Sequence, residues 1–234
     1  MHILIVPSEY PTIDHKLGGI FTYEQEHYLS ISNKIGVIYI YLFALKKVLS
    51  PLLSKIFSLE KKNKRKFIFY FPRIPLLKLI NYYLHYIFFV YIFKKYIKTN
   101  GKPDLLHIHF SEFSIWTAYK IKKKYKIPYI VTEHSTDFLD GKHQKNYKKG
   151  SLIYKKIYLA LKNSKKIICV SYYLKNQIKK FYKLKDSKFS IIGNLSTDFN
   201  FKLKKNNDII FVGSLDERKN PILLLKAFKK IYNN

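Results

Sequence analysis

Disulfide chemistry is closed to this chain. Cys169 is its single cysteine, set in the apolar run Ile167–Val170, where it reads as a small core residue suited to a reducing interior. Arginine is almost as scarce: Arg65, Arg73 and Arg218 are the only three among 44 basic residues, the rest being lysine. Proteins that grip nucleic acid lean on arginine's planar fork, which lysine does not supply. The net charge of +29 therefore argues for a lysine-coated surface, and an anionic membrane is a more credible partner for it than nucleic acid. Lys, Ile, Asn, Tyr and Phe are inflated together, as an A/T-rich coding sequence would produce.

Long apolar runs are missing too. Leu79–Phe93 carries no Lys, Arg, Asp or Glu, but it is shorter than the ~20 residues of a spanning helix and is interrupted by Asn81 and His85. It predicts a buried or surface-seated helix. Met1–Val6 has no basic leader and runs into Pro7, so it reads as a first strand and not a signal peptide. G-x-G-x-x-G is absent, and no acid ends the second strand, which argues against a dinucleotide oxidoreductase. No His, Cys, Asp and Glu fall at metal-ligand spacing, so no metal site is expected.

What remains is globular: 47% hydrophobic and 25% charged residues. Short β-like runs alternate with helical ones, the pattern of a parallel α/β sheet with helices on both faces. Strands are predicted at 2–6, 36–42, 67–71, 104–109, 127–132, 166–171 and 189–193. Helices are predicted near 21–31, 76–98, 113–125, 151–162 and 172–182. Leu45–Leu59 reads as a basic amphipathic segment and Lys61–Lys66 as an exposed charged loop. After a polar linker at 195–207 a fresh unit opens, with a strand at 208–212, a loop at 213–220 and a helix from Pro221 to Tyr232. Pro221 suits a first helical position, and Ile222, Leu225 and Phe228 share one face. The expected organisation is one Rossmann-like domain at 1–194, the linker, and the opening of a second Rossmann-like unit at 208–234.

Four features fall where open α/β sheets place their ligands, after the carboxyl ends of strands. They are Gly18-Gly19, His109, Glu133-His134 and the loop 213–219. With the stretches GGIFTYEQ, PDLLHIHFSE, IPYIVTEHS, KKIICVSYYLKNQI, GNLSTDFNF and IIFVGSLDERKNPILLLKAF, in this order, the chain resembles family 4 glycosyltransferases. These are retaining enzymes of the GT-B architecture, in which two Rossmann-like domains face each other across a cleft. The resemblance runs along essentially the whole chain, least strongly over 33–71.

From the residues alone, Gly18-Gly19 is either a ligand-facing loop or a tight turn. His109 and His107 alternate on one strand, and either could face the crevice. The resemblance implies more. It places Gly18 and Gly19 near donor diphosphate and acceptor, with His109, Glu133 and Asp137 close by. His134 lies beside the reacting sugar, positioning and stabilising rather than acting as a base. Lys219 matches a diphosphate-binding lysine, whereas the family's other basic position is Ser214 here, so Arg218 is either its substitute or a surface charge.

The implied activity is transfer of a sugar from a nucleotide sugar, a substrate and not a cofactor, to a saccharide or lipid-linked acceptor. Its setting would be cell-surface polysaccharide assembly at the inner face of the cytoplasmic membrane. No Asp or Glu follows Glu217, whereas the family grips its donor with a later glutamate pair. The chain alone is therefore expected to lack the donor pocket and to need a partner chain or further segment. The competing reading is a lysine-rich membrane- or polyanion-binding α/β domain without catalysis.

Overall fold

The computed structural model describes residues 1–12, 15–44, 57–109, 112–134, 138, 147–194, 209–213, 215–217 and 219–232. The chain divides into two compact units, Met1–Ser196 and Thr197–Asn234.

The first unit is built on an eight-stranded sheet. Its strands are β1 (His2–Val6), β2 (Lys34–Ala44), β3 (Leu59–Asn63), β4 (Lys66–Arg73), β5 (Leu105–His109), β6 (Tyr129–Glu133), β7 (Ile167–Cys169) and β8 (Phe189–Ile191). The order is β3-β4-β2-β1-β5-β6-β7-β8, and every neighbouring pair is parallel except β3 with β4. The helices are α1 (Ile20–Ser30), α2 (Lys78–Asn100), α3 (Glu112–Tyr125), α4 (Leu152–Asn163) and α5 (Tyr172–Tyr182).

Side-chain alternation separates two cores, as a sheet buried on both faces requires. Leu4, Val6, Ile38, Ile40, Phe67, Phe69, Leu106 and Val131 face α2, α3, α4 and α5. Ile3, Ile5, Val37, Tyr39, Ile68 and Tyr70 face the other way, with Leu29 of α1 packed against them. Gly36 permits one close approach between layers, because a Cβ there would lie 2.0 Å from the Tyr96 hydroxyl. That hydroxyl reaches His2 Nε2 at 2.6 Å, tying α2 to the start of β1.

Local signals explain the helix ends. The Ser151 hydroxyl accepts from Tyr154 N–H and the Ser171 hydroxyl from Leu174 N–H, capping α4 and α5. Gly101, at φ 82°, ends α2. The two polar residues inside the apolar run of α2 are both buried and bonded. Asn81 clasps Ile74 through its side-chain amide and carbonyl, and His85 Nδ1 meets Thr117 Oγ1 at 2.9 Å.

Three readings of the sequence are corrected or fall outside view. The charged stretch 61–66 is not a simple loop: 59–63 form the antiparallel edge strand β3, with a turn at 64–65. Lysines suit such an edge, because they discourage pairing with another chain. In the second unit, Ile209–Val212 form no strand, and Ile209, Ile210 and Val212 are exposed. A strand persists only when paired, and no neighbour is present among the described residues. The predicted helix of that unit, α6 (Pro221–Tyr232), is present, with the Asn220 side chain accepting from Leu223 N–H. The basic segment 45–59 lies mostly, and the linker 195–207 wholly, outside the described residues, as do Asp208, Ser214, Asp137 and Arg218.

Candidate active site

All parallel strands deliver their carboxyl ends to one rim, and the residues after β1, β5 and β6 meet there. The chain leaves β1 at Val6, passes Glu9 and Tyr10, and turns into α1 through Gly19 at φ 62°. Gly19 cannot carry a side chain. Its Cβ would stand 2.2 Å from the Glu9 carbonyl oxygen, in a left-handed conformation that L-residues resist. Gly18 is crowded only by the His15 imidazole. The Gly19 carbonyl accepts from Thr22 and Tyr23 N–H and so opens the helix. No side chain caps this end, and its first turn holds no acid. Ile20 N–H donates to the Leu17 carbonyl, so what this end offers an anion is chiefly the positive end of the helix dipole.

Thr22, one turn into α1, brings the helix against β5: its Oγ1 lies 3.4 Å from His109 Nδ1. The same nitrogen is 3.1 Å from His134 Nε2, just past the end of β6. Phe21 closes the arrangement, its ring centroid 4.4 Å from that of His134. Gly19, His109 and His134 therefore belong to one cluster on one rim.

The sequence left His107 and His109 as alternatives. Both stand on the α1 side of the sheet, with different partners. His107 Nε2 pairs with Thr132 Oγ1 at 2.7 Å, and the ring lines an apolar hollow with Ile130 and Ile168. His109 is the one that reaches His134. Glu133 is buried with the opposite alternation, on the side of Val131 and Cys169; burial first, and then the Glu133 charge, push the Cys169 thiol up to about 12. Its carboxylate lies on the other face of the sheet from the histidine pair.

Burial dominates the electrostatics. Desolvation holds His109 well below the usual imidazole range, reinforced by the neighbouring His107 and His134 rings. His134 is lowered to about 4 by burial, a polar contact with Asn194 acting weakly in the opposite direction. His107 is likewise lowered to about 4. All three are neutral near pH 7, each with one N–H and one bare nitrogen. Since one ring must donate to the other, the pair has only two tautomeric arrangements. His109 Nε2 and His134 Nδ1 are buried and make no hydrogen bond of ordinary length and angle, the Asn194 side chain standing near His134. In either arrangement one of these two outer atoms is a free donor and the other a free acceptor. Such a pair is suited to a hydroxyl, which both donates and accepts and so can satisfy both kinds of atom.

A family model described as Glycosyltransferase Family 4 matches residues 54–195, more than half of the chain. The chain belongs to Glycosyltransferase Family 4. An uncharacterized glycosyltransferase of Methanocaldococcus jannaschii is 33% identical over 138 residues, which are 59% of this chain and 37% of that protein. Among solved structures, a sucrose-phosphate synthase from Thermosynechococcus elongatus superposes with a TM-score of 0.56 at 15% identity, over 82% of this chain and 48% of that one. A UDP-GlcNAc 2-epimerase from Methanocaldococcus jannaschii gives 0.50 at 12% identity, over 83% and 46%. At these identities the likeness is one of fold, the Rossmann-like α/β arrangement shared with GT-B glycosyltransferases. The family 4 chain spans about half the length, or less, of these relatives.

Considered by itself, the second unit of this family 4 chain holds Lys219 in a loop fixed by Asp216. The Asp216 carboxylate accepts from Lys219 N–H and its carbonyl from Asn220 N–H, both at 2.9 Å. Among the described residues no three His, Cys, Asp or Glu side chains gather as a metal-binding group. Three contributors escaped the sequence reading: Phe21, Thr22 and Thr132. The threonines had a usable signal. Thr22 follows Gly19 by three residues, one helical turn, and Thr132 sits directly opposite His109 in the strand register.

Proposed function

We propose that this chain is the acceptor-side portion of a retaining glycosyltransferase. In this reading it moves a hexosyl group from a nucleotide sugar to a saccharide or lipid-linked acceptor, in cell-surface polysaccharide or glycolipid assembly on the cytoplasmic side of the membrane. The observation that carries the reading is the neutral His109–His134 pair, with unpaired outer nitrogens, beside the uncapped start of α1 at Gly19. The positive end of the α1 dipole would face the donor diphosphate. His134 would hold a sugar or acceptor hydroxyl and stabilise charge as the glycosidic bond exchanges. A base is not required of it, because the departing phosphate can take the acceptor proton. His109 would fix the tautomer and tilt of His134.

In the second unit, taken by itself, Lys219 and Arg218 would offer positive charge to a diphosphate. Nucleotide sugar is a substrate here, and the proposal calls for no cofactor. The test is sugar transfer by the protein supplied with its donor half, comparing wild type with His134→Ala. Equal turnover would remove His134 from the site, and no turnover with any nucleotide sugar would remove the activity.

A further inference from the structure

Helix α2 has two characters. Tyr82, His85, Phe89, Ile92, Phe93 and Tyr96 are buried towards the sheet. Along its outer side Ile80, Tyr83, Ile87 and Tyr91 follow at steps of three and four and remain exposed, Tyr83 at 64%, and Leu76, just before the helix, is fully exposed. The helix is about 35 Å long, and no described segment covers this row. The exposed row from Ile80 to Tyr91 covers about 17 Å of it, and a contiguous apolar strip on a water-facing helix marks an interaction surface.

Its surroundings say what kind. The neighbouring helices α3 and α4 contribute Trp116, Lys120 and Lys156. Lys156 Nζ lies 4.1 Å from the Trp116 ring centre and 5.7 Å from Tyr83. Lys120 Nζ is 5.8 Å from Trp116 and 6.0 Å from Tyr86, and Lys95 Nζ is 4.3 Å from Tyr91. Acids are absent throughout: none occurs between Glu60 and Asp104, between Glu112 and Glu133, or between Asp140 and Asp186. A second copy docking here would set lysine against lysine. Lipid phosphates complement the lysines while the acyl boundary accepts the apolar row and the aromatic rings.

We propose that the outer face of α2, with Trp116, Lys120 and Lys156 beside it, seats this protein on an anionic lipid bilayer. The orientation follows from the topology. Strand β4 ends at Arg73, and α2 begins at Lys78 on the rim that also holds Gly19, His109 and His134. Leu76, Leu77, Leu79 and Ile80 thus bring lipid towards that rim, where an acceptor carried on a lipid would present its head. The surface contact does not depend on the transferase reading and can fail or hold without it.

Trp116, the single tryptophan, is a built-in reporter. The 234-residue chain is mixed with phosphatidylcholine vesicles and with vesicles that also contain phosphatidylglycerol. Sedimentation and Trp116 emission are then followed. Binding with a blue shift is expected only on the anionic vesicles. The variant Ile80→Ser/Tyr83→Ser/Ile87→Ser keeps the charge and changes exposed positions only, and it should lower partitioning about tenfold or more. Tyr172→Ser/Tyr173→Ser, exposed on α5, should leave partitioning unchanged. The proposal is overturned if wild type ignores anionic vesicles at low salt, or if the α2 variant partitions as wild type does. An equal loss in the α5 variant, or a changed oligomeric state of the α2 variant in light scattering, also overturns it.

Discussion

His109 Nδ1 lies 3.1 Å from His134 Nε2, and the two imidazole planes are parallel to within 2°. A proton on this axis belongs to one ring or the other, so the tautomer of His134 is set by that of His109. Residues that act as such a unit do not contribute additively. On the proposed transferase reading, His134→Ala is expected to lower kcat/KM for sugar transfer roughly 100-fold. His109→Ala should approach that loss, because it removes the ring that sets the His134 tautomer. The double variant should fall little below the worse single one. Fully multiplicative losses would show that the rings work independently.

The buried imidazoles make stability depend on pH, and the sign follows from their depressed values. His85 is lowered to about 3 and His107 to about 4, both by desolvation, with the His134 ring adding to the effect on His107. Unfolded, each titrates near 6.5. Above that value both states are neutral and the full stability is present. Below it the unfolded chain binds protons that the folded chain refuses, so stability is lost as pH falls from 6.5 towards 4. Each fully buried ring contributes a slope of up to ~1.4 kcal/mol per pH unit. Urea denaturation at a series of pH values checks this. Replacing His107 by Gln should flatten the dependence by one group, and a flat profile from pH 7 to 4 would contradict the burial of these rings.

Gly18 and Gly19 are adjacent yet predicted to differ sharply in tolerance. Alanine at 19 meets backbone, the Glu9 carbonyl, in a left-handed conformation. It should cost at least about 2 kcal/mol and displace the first turn of α1. Alanine at 18 meets the side chain of the exposed His15, which can swing away. Thermal melts should rank Gly19→Ala well below Gly18→Ala, and Gly18→Ala/His15→Ala close to wild type.

These contrasts show how far the sequence was readable. Strand and helix order could be read because the apolar period changes from two to 3.6 at each junction, as between Leu105–His109 and Glu112–Tyr125. The carboxyl-end rule then placed Gly19, His109 and His134 together before any coordinates. Partner choice was not readable. Whether His107 or His109 faces His134 depends on which hydroxyl each strand register presents, and Thr132 claims His107. Strand β3 was hidden because its charged residues, Glu60, Lys61 and Lys62, carry no apolar alternation. Its signal lies in pairing with β4 across the turn at 64–65 and not in its own composition. Exposure along α2 was equally hidden, since Leu79–Phe93 is apolar on both sides and only packing decides which side faces the sheet.

The least anticipated feature is a buried ion pair remote from the histidines. Glu26 of α1 accepts from the Tyr10 hydroxyl at 2.5 Å and lies 2.6 Å from Lys66 Nζ at the start of β4. The carboxylate is almost fully buried, and Lys66 also approaches the Tyr23 ring at 5.3 Å. This network joins the first loop, α1 and β4, and through them it holds Gly19 in place. Removing Lys66 leaves the Glu26 carboxylate buried and uncompensated, which costs several kcal/mol, whereas removing Glu26 leaves a partly exposed Lys66 that can reach water. Lys66→Met is therefore expected to destabilise by roughly 3 kcal/mol, and Glu26→Gln by less, since its amide can still meet Tyr10. The double variant should be more stable than the sum of the two changes predicts. A double-mutant cycle by chemical denaturation measures the coupling, and strict additivity would mean that the pair contributes nothing as a pair.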